Sequence, residues 1–211
     1  VLVTDHHLPG AELPQAAAII NPNQAGCAFA SKHLAGVGVV FYLLIATRGL
    51  LRERGWFDAP GRAAPNLAQL LDLVALGTIA DVVTLDRNNR ILVEQGLRRI
   101  RAGQCRPGLR ALLEIAGCRL DRLSARDLAF TSAPRLNAAG RLDDMGIGVE
   151  CLTTEDPVRA MQLARRLHAL NAERREIEVS MREEAEVIAT RVAASQAQPP
   201  SGLCLYGKDW H

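Results

Sequence analysis

The sequence predicts an α/β fold, in which part of a parallel-sheet domain with many helices is followed by a long connector helix. Two short apolar runs near the start of the 211-residue chain end at turn residues, which is typical of buried strands. The apolar run over 34–46 is too short to span a bilayer and indicates a core helix. One amphipathic stripe continues from Asp156 to about Ala194, which indicates a single long helix.

The first half of the chain alternates apolar runs with turn residues. The predicted strands cover 1–4, which leads into Asp5, His6, His7 and a Pro-Gly pair, and 16–20, which ends at Asn21-Pro22-Asn23. The predicted helices cover 32–54, 67–76 with Asn66 as N-cap, 90–101 with Asn88 as N-cap, and 107–117. Side-chain caps of this kind satisfy the free N–H groups of a first helical turn.

The whole chain divides into three predicted parts. We expect residues 1–155 to be the C-terminal part of a catalytic domain, 156–198 a helical connector, and 199–211 the first strand of a truncated second domain. Asp156-Pro157 begins the connector helix, a break is expected near Asn171, and Leu203 to Tyr206 are predicted to start the new strand. Because the chain lacks an initial Met and starts directly in a strand, we expect it to be cut from a longer protein.

Composition excludes several classes of protein. Lys and Arg number 25 against 23 Asp and Glu, so a net charge of +2 gives no argument for a polyanionic partner. A local basic stretch is either a nucleic-acid footprint or a solvated helix face; it comprises Arg98, Arg99, Arg101, Arg106 and Arg110. The five cysteines are scattered without a C-x-x-C pair, which favours a reduced cytosolic protein over a disulfide framework or a zinc ribbon.

Histidine and aspartate residues follow two of the predicted core elements. Asp5, His6 and His7 lie in the turn after the first strand, and the carboxyl ends of strands are where ligands bind in open sheets. Asp81 stands among apolar residues in GTIADVVTLDRNNR, so we expect a buried carboxylate, which is costly unless it is paired or bound to a metal. Nitrogen and oxygen ligands without thiolate suit a divalent ion such as Mn²⁺. The alternative is a surface turn with polar residues.

A third segment, PRLNAAGRLDDM, combines two arginines and an amide with small residues. Arg135 and Arg141 offer guanidinium forks and Asn137 an amide donor, groups that suit phosphate oxygens. A surface loop with helix-capping charges is the alternative interpretation.

The chain resembles the DHH phosphoesterase family, specifically its RecJ-type single-strand-specific 5′→3′ exonucleases. The resemblance rests on TDHHLPG, IINPN, LAGVGVVFYL, LDLVALGTIADVVTLDRNNR, RPGLRALL and PRLNAAGRLDDM, and it continues past the long helix into LYGKDWH. DHH alone is a weak motif, whereas DHH, GTIADVV and RLNAAGR in this order and at this spacing are specific. The resemblance implies a DHH-type parallel-sheet domain.

The resemblance also implies roles for single residues. His6 and Asp81 match metal ligands, while Asp5 and His7 complete the catalytic motif by orienting His6 and facing the scissile phosphate. Arg135, Asn137 and Arg141 match a loop that binds the substrate strand. Two Mn²⁺ or Mg²⁺ ions in the complete enzyme would activate a water molecule and stabilise charge on the phosphate.

The implied function is metal-dependent 5′→3′ hydrolysis of phosphodiester bonds in single-stranded DNA, in recombination and repair. Single-stranded DNA is the implied substrate, with a single-strand-binding protein and a helicase as partners. A cytoplasmic monomer without membrane attachment is expected.

The sequence departs from the family in what it lacks. An Asp-x-Asp-Gly motif and a further Asp before the DHH segment, and a Gly-Gly-His motif in a C-terminal domain, are not among the 211 residues. We therefore expect the chain to be an inactive fragment of the enzyme. Two other functions stay open: a non-catalytic scaffold that binds DNA or proteins, and a DHH phosphodiesterase that acts on short oligonucleotides.

Overall fold

Two short parallel strands open the chain. The computed structural model describes residues 1–195, 200–208 and 210. Strand β1 (Leu2–Thr4) pairs in parallel with β2 (Ala18–Ile20), and Val3 lies opposite Ile19. The pairing continues for one more hydrogen bond, because the Asp5 N–H donates to the Ile20 carbonyl at 3.1 Å. The small parallel sheet confirms the predicted α/β class.

Most other described residues are helical. The α-helices are α1 (Gly36–Glu53), α2 (Leu71–Ala80), α3 (Arg87–Arg101), α4 (Pro107–Ile115), α5 (Ala125–Asp127), α6 (Ala133–Leu142), α7 (Gly146–Thr153) and α8 (Pro157–Ala194). Short 3₁₀ turns cover Trp56–Asp58, Leu67–Leu70 and Leu120–Arg122, and a π-helical turn covers Leu128–Ser132.

Helix α2 links the two parts of the hydrophobic core. Its Val74 belongs to a cluster beside the sheet that includes Leu34, Val39 and Phe41. Its Ala75 and Leu76 belong to a larger cluster formed with α3, α4 and α6–α8. Because both faces of α2 are packed, side chains at its two ends are held in fixed positions.

The packing of α2 against α3 depends on Gly96. A Cβ atom at this position would come within 2.2 Å of the Leu71 carbonyl oxygen and 2.5 Å of the Ala75 Cβ. The backbones of α2 and α3 can approach this closely only because Gly96 has no side chain. This close approach fixes the position of α2 relative to α3.

Several predicted element boundaries are confirmed. Asn66 caps the helical segment that it precedes by accepting the Ala68 N–H, and Asp156 caps α8 by accepting the Val158 N–H. The apolar run over 34–46 lies in and just before α1, where Leu34, Val39 and Phe41 are buried. Among the helices of the described residues, none has both the length and the apolar character needed to cross a membrane.

Two boundaries around the GTIADVV segment were predicted wrongly. The helix predicted over 67–76 is a 3₁₀ turn followed by α2, which continues through Gly77 and Thr78 to Ala80, so Asp81 is its C-cap. The N-cap of α3 is Asp86, whose carboxylate accepts the Asn89 N–H at 2.8 Å. Asn88 instead accepts a hydrogen bond from the Tyr42 hydroxyl at 2.7 Å.

Three further expectations about local structure are wrong. The RLNAAGR segment is not a loop but most of helix α6, in which Pro134 occupies the first turn. Helix α8 is unbroken at Asn171, a buried residue whose side chain accepts a hydrogen bond from Arg174. Residues 203–206, all of which the structure describes, form no strand. The division of the chain into domains remains a prediction.

Candidate metal centre

The structure brings His6 and Asp81 into contact. His6 follows β1, Asp81 ends α2, and the His6 Nε2 lies 3.2 Å from the Asp81 Oδ2. The His6 side chain is 16% exposed and the Asp81 side chain 40% exposed. Two segments that are far apart in sequence therefore form one site at the carboxyl end of the sheet. Metal binding by the pair remains a prediction.

The expectation that Asp81 is buried is wrong. Its position at the C-cap of α2 leaves its carboxylate accessible, and the following Val82 is 87% exposed. Val82 also has a φ of 57°, a left-handed conformation that is rare for a β-branched residue. Strained backbone of this kind persists where the surrounding structure holds it in place, and it clusters at functional sites.

Asp5 organises the turn that carries both histidines. Its Oδ1 accepts the backbone N–H of His6 at 2.7 Å and of His7 at 3.2 Å, and it contacts the His7 Nδ1 at 2.8 Å. The side-chain hydrogen bond with His7, followed by the backbone hydrogen bonds, lowers the pKa of Asp5 to about 2. Asp5 is therefore an ionised acceptor at neutral pH.

The ionised state of Asp5 determines the tautomer of His7. A carboxylate only accepts hydrogen bonds, so the His7 Nδ1 must carry the proton that Asp5 accepts. The Nε2 of neutral His7 is then a free acceptor, and the side chain is 76% exposed. His7 thus presents a solvent-facing nitrogen that can accept or donate a proton.

Asn21 and Asn23 hold the turn in place, although sequence analysis interpreted them only as the end of a strand. The Asn21 side chain donates to the His7 carbonyl at 2.8 Å. The Asn23 side chain donates to the His6 carbonyl at 2.7 Å and to the Lys32 carbonyl at 3.1 Å. These bonds tie the turn formed by Asp5, His6 and His7, here called the DHH turn, to the loop that precedes α1.

The same loop anchors the segment after Asp81. The Ser31 hydroxyl donates to the Asp86 carboxylate at 2.6 Å, and the buried Asn89 side chain donates to the carbonyls of His33 and Thr84. Polar partners therefore link the DHH turn, the loop before α1 and the segment that joins α2 to α3 in one continuous network. This network explains why His6 and Asp81 meet.

The donor pair suits a divalent metal ion. The His6 Nε2 and the Asp81 Oδ2 lie 3.2 Å apart, so both atoms could bind the same ion. An imidazole nitrogen and a carboxylate oxygen without a thiolate suit Mn²⁺, whereas structural Zn²⁺ sites usually include cysteine. Among the described residues, no group of three or more His, Cys, Asp or Glu side chains has the arrangement of a metal site. The described residues therefore bring together two candidate ligands, His6 and Asp81.

The three polar residues of α6 do not share one face. Asn137 and Arg141 are exposed on successive turns, and Arg141 lines a surface cavity of about 200 Å³ with Arg174 of α8. Arg135 is only 6% exposed, and it donates to the His168 Nδ1 at 3.2 Å and the Thr131 carbonyl at 2.6 Å. The structure therefore leaves Asn137 and Arg141 accessible and places Arg135 in the interface between α6 and α8.

Phe130 is an exposed aromatic residue just before α6 that the sequence-based prediction of the site did not include. It lies in the π-helical turn before α6 and is 69% exposed, with the Arg126 guanidinium 5.8 Å from its ring centre. Its place in the sequence, a few residues before the PRLNAAGRLDDM segment, is the signal that could have identified it.

Three comparisons with known proteins all find similarity to the DHH family or to RecJ exonucleases. The DHH family, N-terminal domain, matches residues 1–78. The single-stranded-DNA-specific exonuclease RecJ of Dickeya dadantii (strain 3937) is 60% identical over 211 residues, which are 100% of this chain and 37% of that protein.

Two solved structures are also similar to the chain. A crystal structure of exonuclease RecJ bound to manganese has a TM-score of 0.72 and 38% identity, and the match covers 87% of this chain and 43% of the other. A crystal structure of RecJ from Thermus thermophilus in complex with Mg²⁺ has a TM-score of 0.67 and 34% identity, and the match covers 94% of this chain and 27% of the other. The chain thus spans well under half the length of the proteins that it matches.

Proposed function

We propose, since the chain belongs to the DHH family, that it forms part of a metal-dependent 5′→3′ exonuclease that hydrolyses phosphodiester bonds of single-stranded DNA. The observation that carries this proposal is the contact between His6 and Asp81, which joins the DHH and GTIADVV motifs in one site. The 60% identity to a single-stranded-DNA-specific exonuclease over the whole chain supports the substrate.

His6 and Asp81 would hold a Mn²⁺ or Mg²⁺ ion in this enzyme. Similar proteins have been crystallised with manganese and with Mg²⁺, and the two donor atoms are close enough to bind one ion. Bound metal supplies an activated water molecule and stabilises negative charge on the phosphate. A neutral His6 is required, because a protonated imidazole has no lone pair for a metal.

Asp5 and His7 would act on the phosphate without binding the ion directly. The Asp5 carboxylate fixes the His7 ring through Nδ1, which leaves the Nε2 to hold or release a proton beside the site. A protonated His7 can donate a hydrogen bond to a phosphate oxygen, and a neutral His7 can accept a proton from water. Asp5 is thus a positioning residue and His7 a residue that meets the substrate.

The substrate strand would lie along the exposed face of α6. Asn137 and Arg141 can bind phosphate oxygens, and Phe130 offers a flat surface for base stacking, which tolerates any sequence. The burial of Arg135 favours a role different from the one that the sequence predicts, because its guanidinium is already bonded between α6 and α8. We propose that Arg135 positions α6 and that Arg141 contacts the strand.

Further aspects of this proposal concern the cell and the complete protein. The proposed role is in recombination and repair, with a single-strand-binding protein and a helicase as partners of a cytoplasmic, monomeric enzyme. The 211-residue chain by itself is predicted to be inactive, since two ligands are few for a site that would hold two ions.

The test uses a longer protein that contains this chain, with His6→Ala and Asp81→Asn as variants. Each should lower Mn²⁺-dependent release of nucleotides from single-stranded DNA by more than about 100-fold, since loss of a residue that only supports a metal ligand already costs about 10–100-fold. Asp121→Asn is the matched control, because Asp121 is an exposed aspartate whose ion pairs within the described part of the chain are with Arg119 and Arg122 of its own turn. Melting temperatures establish that all variants fold.

Near-normal turnover of either ligand variant at saturating Mn²⁺ would refute the assignment. Tight binding of single-stranded DNA by the longer protein, without metal-dependent hydrolysis, would favour the non-catalytic scaffold instead.

A further inference from the structure

A polar pocket lies beside the N-terminal end of α2, at the opposite end of this helix from Asp81. It has a volume of about 340 Å³ and is lined in part by Asn66, Asp72, Arg99, Gln104 and Arg106. Asp72 precedes Asp81 by nine residues, so the two carboxylates are about 14 Å apart along the helix axis. The pocket is therefore separate from the candidate metal centre.

Asp72 is fully engaged within the protein. Its side chain is 1% exposed, and its oxygens accept the backbone N–H groups of Leu73 at 2.8 Å and Arg106 at 2.9 Å. The Arg106 guanidinium lies near it, with 3.7 Å between Nε and Oδ1. One buried negative charge is thus balanced by two backbone donors and one arginine.

Arg99 has no comparable partner. Among the described residues it makes no ion pair, and its buried Nε, like that of Arg106, has no hydrogen-bond acceptor. Its neighbours on α3 differ, because Arg98 and Arg101 both pair with Glu94. A half-buried guanidinium without a partner is costly, and this cost indicates an anionic ligand.

We propose that this pocket binds a phosphate group between Arg99 and Arg106. The two guanidinium groups supply charge and directed N–H donors, which is the chemistry that recognises phosphate. The Asn66 side chain caps a helical turn through its oxygen, so its NH₂ group is available as a further donor. The volume lies within the range of about 300–1,000 Å³ that is typical of small-ligand sites.

The phosphate can come from two sources that share this chemistry. One is a small molecule, such as inorganic phosphate or a nucleoside monophosphate, and the other is a phosphodiester of a single strand. Phosphate binding here does not depend on the proposed exonuclease activity, because no residue of the pocket belongs to the metal centre.

The test is thermal unfolding of the 211-residue chain in inorganic phosphate, compared with chloride at the same ionic strength. Phosphate at ten times its Kd should raise the Tm by about 3–6 °C. Arg99→Leu should remove this rise and should leave the Tm in chloride equal or higher, since it removes an unpaired charge. Arg98→Leu is the matched control, and it should keep the wild-type response.

Two further ligands identify the source. Adenosine monophosphate and a single-stranded oligothymidylate without a terminal phosphate replace inorganic phosphate in the same assay. An Arg99-dependent shift with the small phosphates identifies a small-molecule site, and one with the oligonucleotide alone identifies a backbone phosphate. Equal shifts in the wild type and in Arg99→Leu with every ligand would overturn the proposal.

Cys105 provides an independent readout in the unmodified protein. It lines the pocket, and burial raises the pKa of its thiol. Saturating phosphate should slow its alkylation by a maleimide several-fold, while the exposed Cys204 reacts at an unchanged rate. A Cys105 rate that phosphate does not change would contradict binding in the pocket.

Discussion

The two aspartates of α2 differ in burial, in partners and in what they can do. Asp72, near the first turn, is buried and its oxygens are occupied by two backbone N–H groups. Asp81, at the C-cap, is 40% exposed and contacts only the His6 ring among the ion pairs of the described residues. One carboxylate stabilises the fold, and the other remains accessible to a ligand.

The difference shows that burial alone does not identify a functional carboxylate. The sequence predicts Asp81 to be the costly buried charge, whereas in the structure the buried carboxylate is that of Asp72. Asp81 is exposed because it ends its helix, and a metal ligand needs such access. Asp72 is thus expected to contribute to stability and Asp81 to ligand binding, and substitution of each residue tests these two contributions separately.

The largest expected effect separates the two aspartates by stability. Asp72→Ala should lower the free energy of unfolding by about 3–5 kcal/mol, because it leaves buried N–H donors and the Arg106 charge without their partner. Asp81→Ala should cost about 1 kcal/mol or less, as is usual for an exposed pair. Urea unfolding of the 211-residue chain measures both values. Equal losses would show that the comparison is wrong.

A second prediction concerns Phe130, the exposed aromatic residue just before α6. Phe130→Ala in a longer protein that contains this chain should weaken binding of single-stranded DNA by about 1–3 kcal/mol, the usual contribution of one stacked base. Phe130→Trp should preserve affinity, because it keeps an aromatic surface. Oligonucleotide titrations measure both, and unchanged affinity in Phe130→Ala would assign the ring a packing role.

A third prediction contrasts a buried with an exposed arginine. Arg141→Ala should reduce the salt slope of single-strand binding by about 0.7, the value for one neutralised phosphate. Arg141→Lys should restore only part of the affinity, since it keeps the charge but loses the fork. Arg135→Ala should instead lower the melting temperature. An unchanged slope and affinity in Arg141→Ala would make that arginine structural.

The smallest expected effect concerns the pH response of the DHH turn without metal. The folded pKa of Asp5 is about 2 and its ordinary value is 3.8, so Asp5 stabilises the fold above about pH 4. That contribution is lost as the pH falls from 4 to 2. Carboxyl NMR titration should give a midpoint near 2, which His7→Ala should shift towards 3.8. A wild-type midpoint at the ordinary value would contradict the hydrogen bonding of the turn.

Local signals made much of the fold predictable. The two apolar runs that end at polar turns predicted β1 and β2, and the caps Asn66 and Asp156 predicted where helical segments begin. The RLNAAGR segment was misjudged because its small residues were interpreted as permitting a loop. Alanine is the strongest helix former, and Pro134 is compatible with a first helical turn.

The contact at the candidate metal centre could be predicted only in part. Motif order indicated that His6 and Asp81 belong together, but the contact depends on the network through Asn23, Ser31 and Asn89, whose partners are distant in sequence. The choice of Asp86 over Asn88 as the cap of α3 has the same origin, because Ser31 holds Asp86 in place and Tyr42 engages Asn88. Tertiary partners of this kind leave no periodic pattern.

The most direct test is Mn²⁺-dependent broadening of histidine NMR signals in the 211-residue chain. Paramagnetic Mn²⁺ held by His6 and Asp81 should broaden the His6 ring signals first and leave those of His168, on α8, sharp. Asp81→Asn should abolish this selectivity, and Asp121→Asn should preserve it. Equal broadening of His6 and His168, or selective broadening of His6 that persists in Asp81→Asn, would contradict the assignment of Asp81 as a metal ligand.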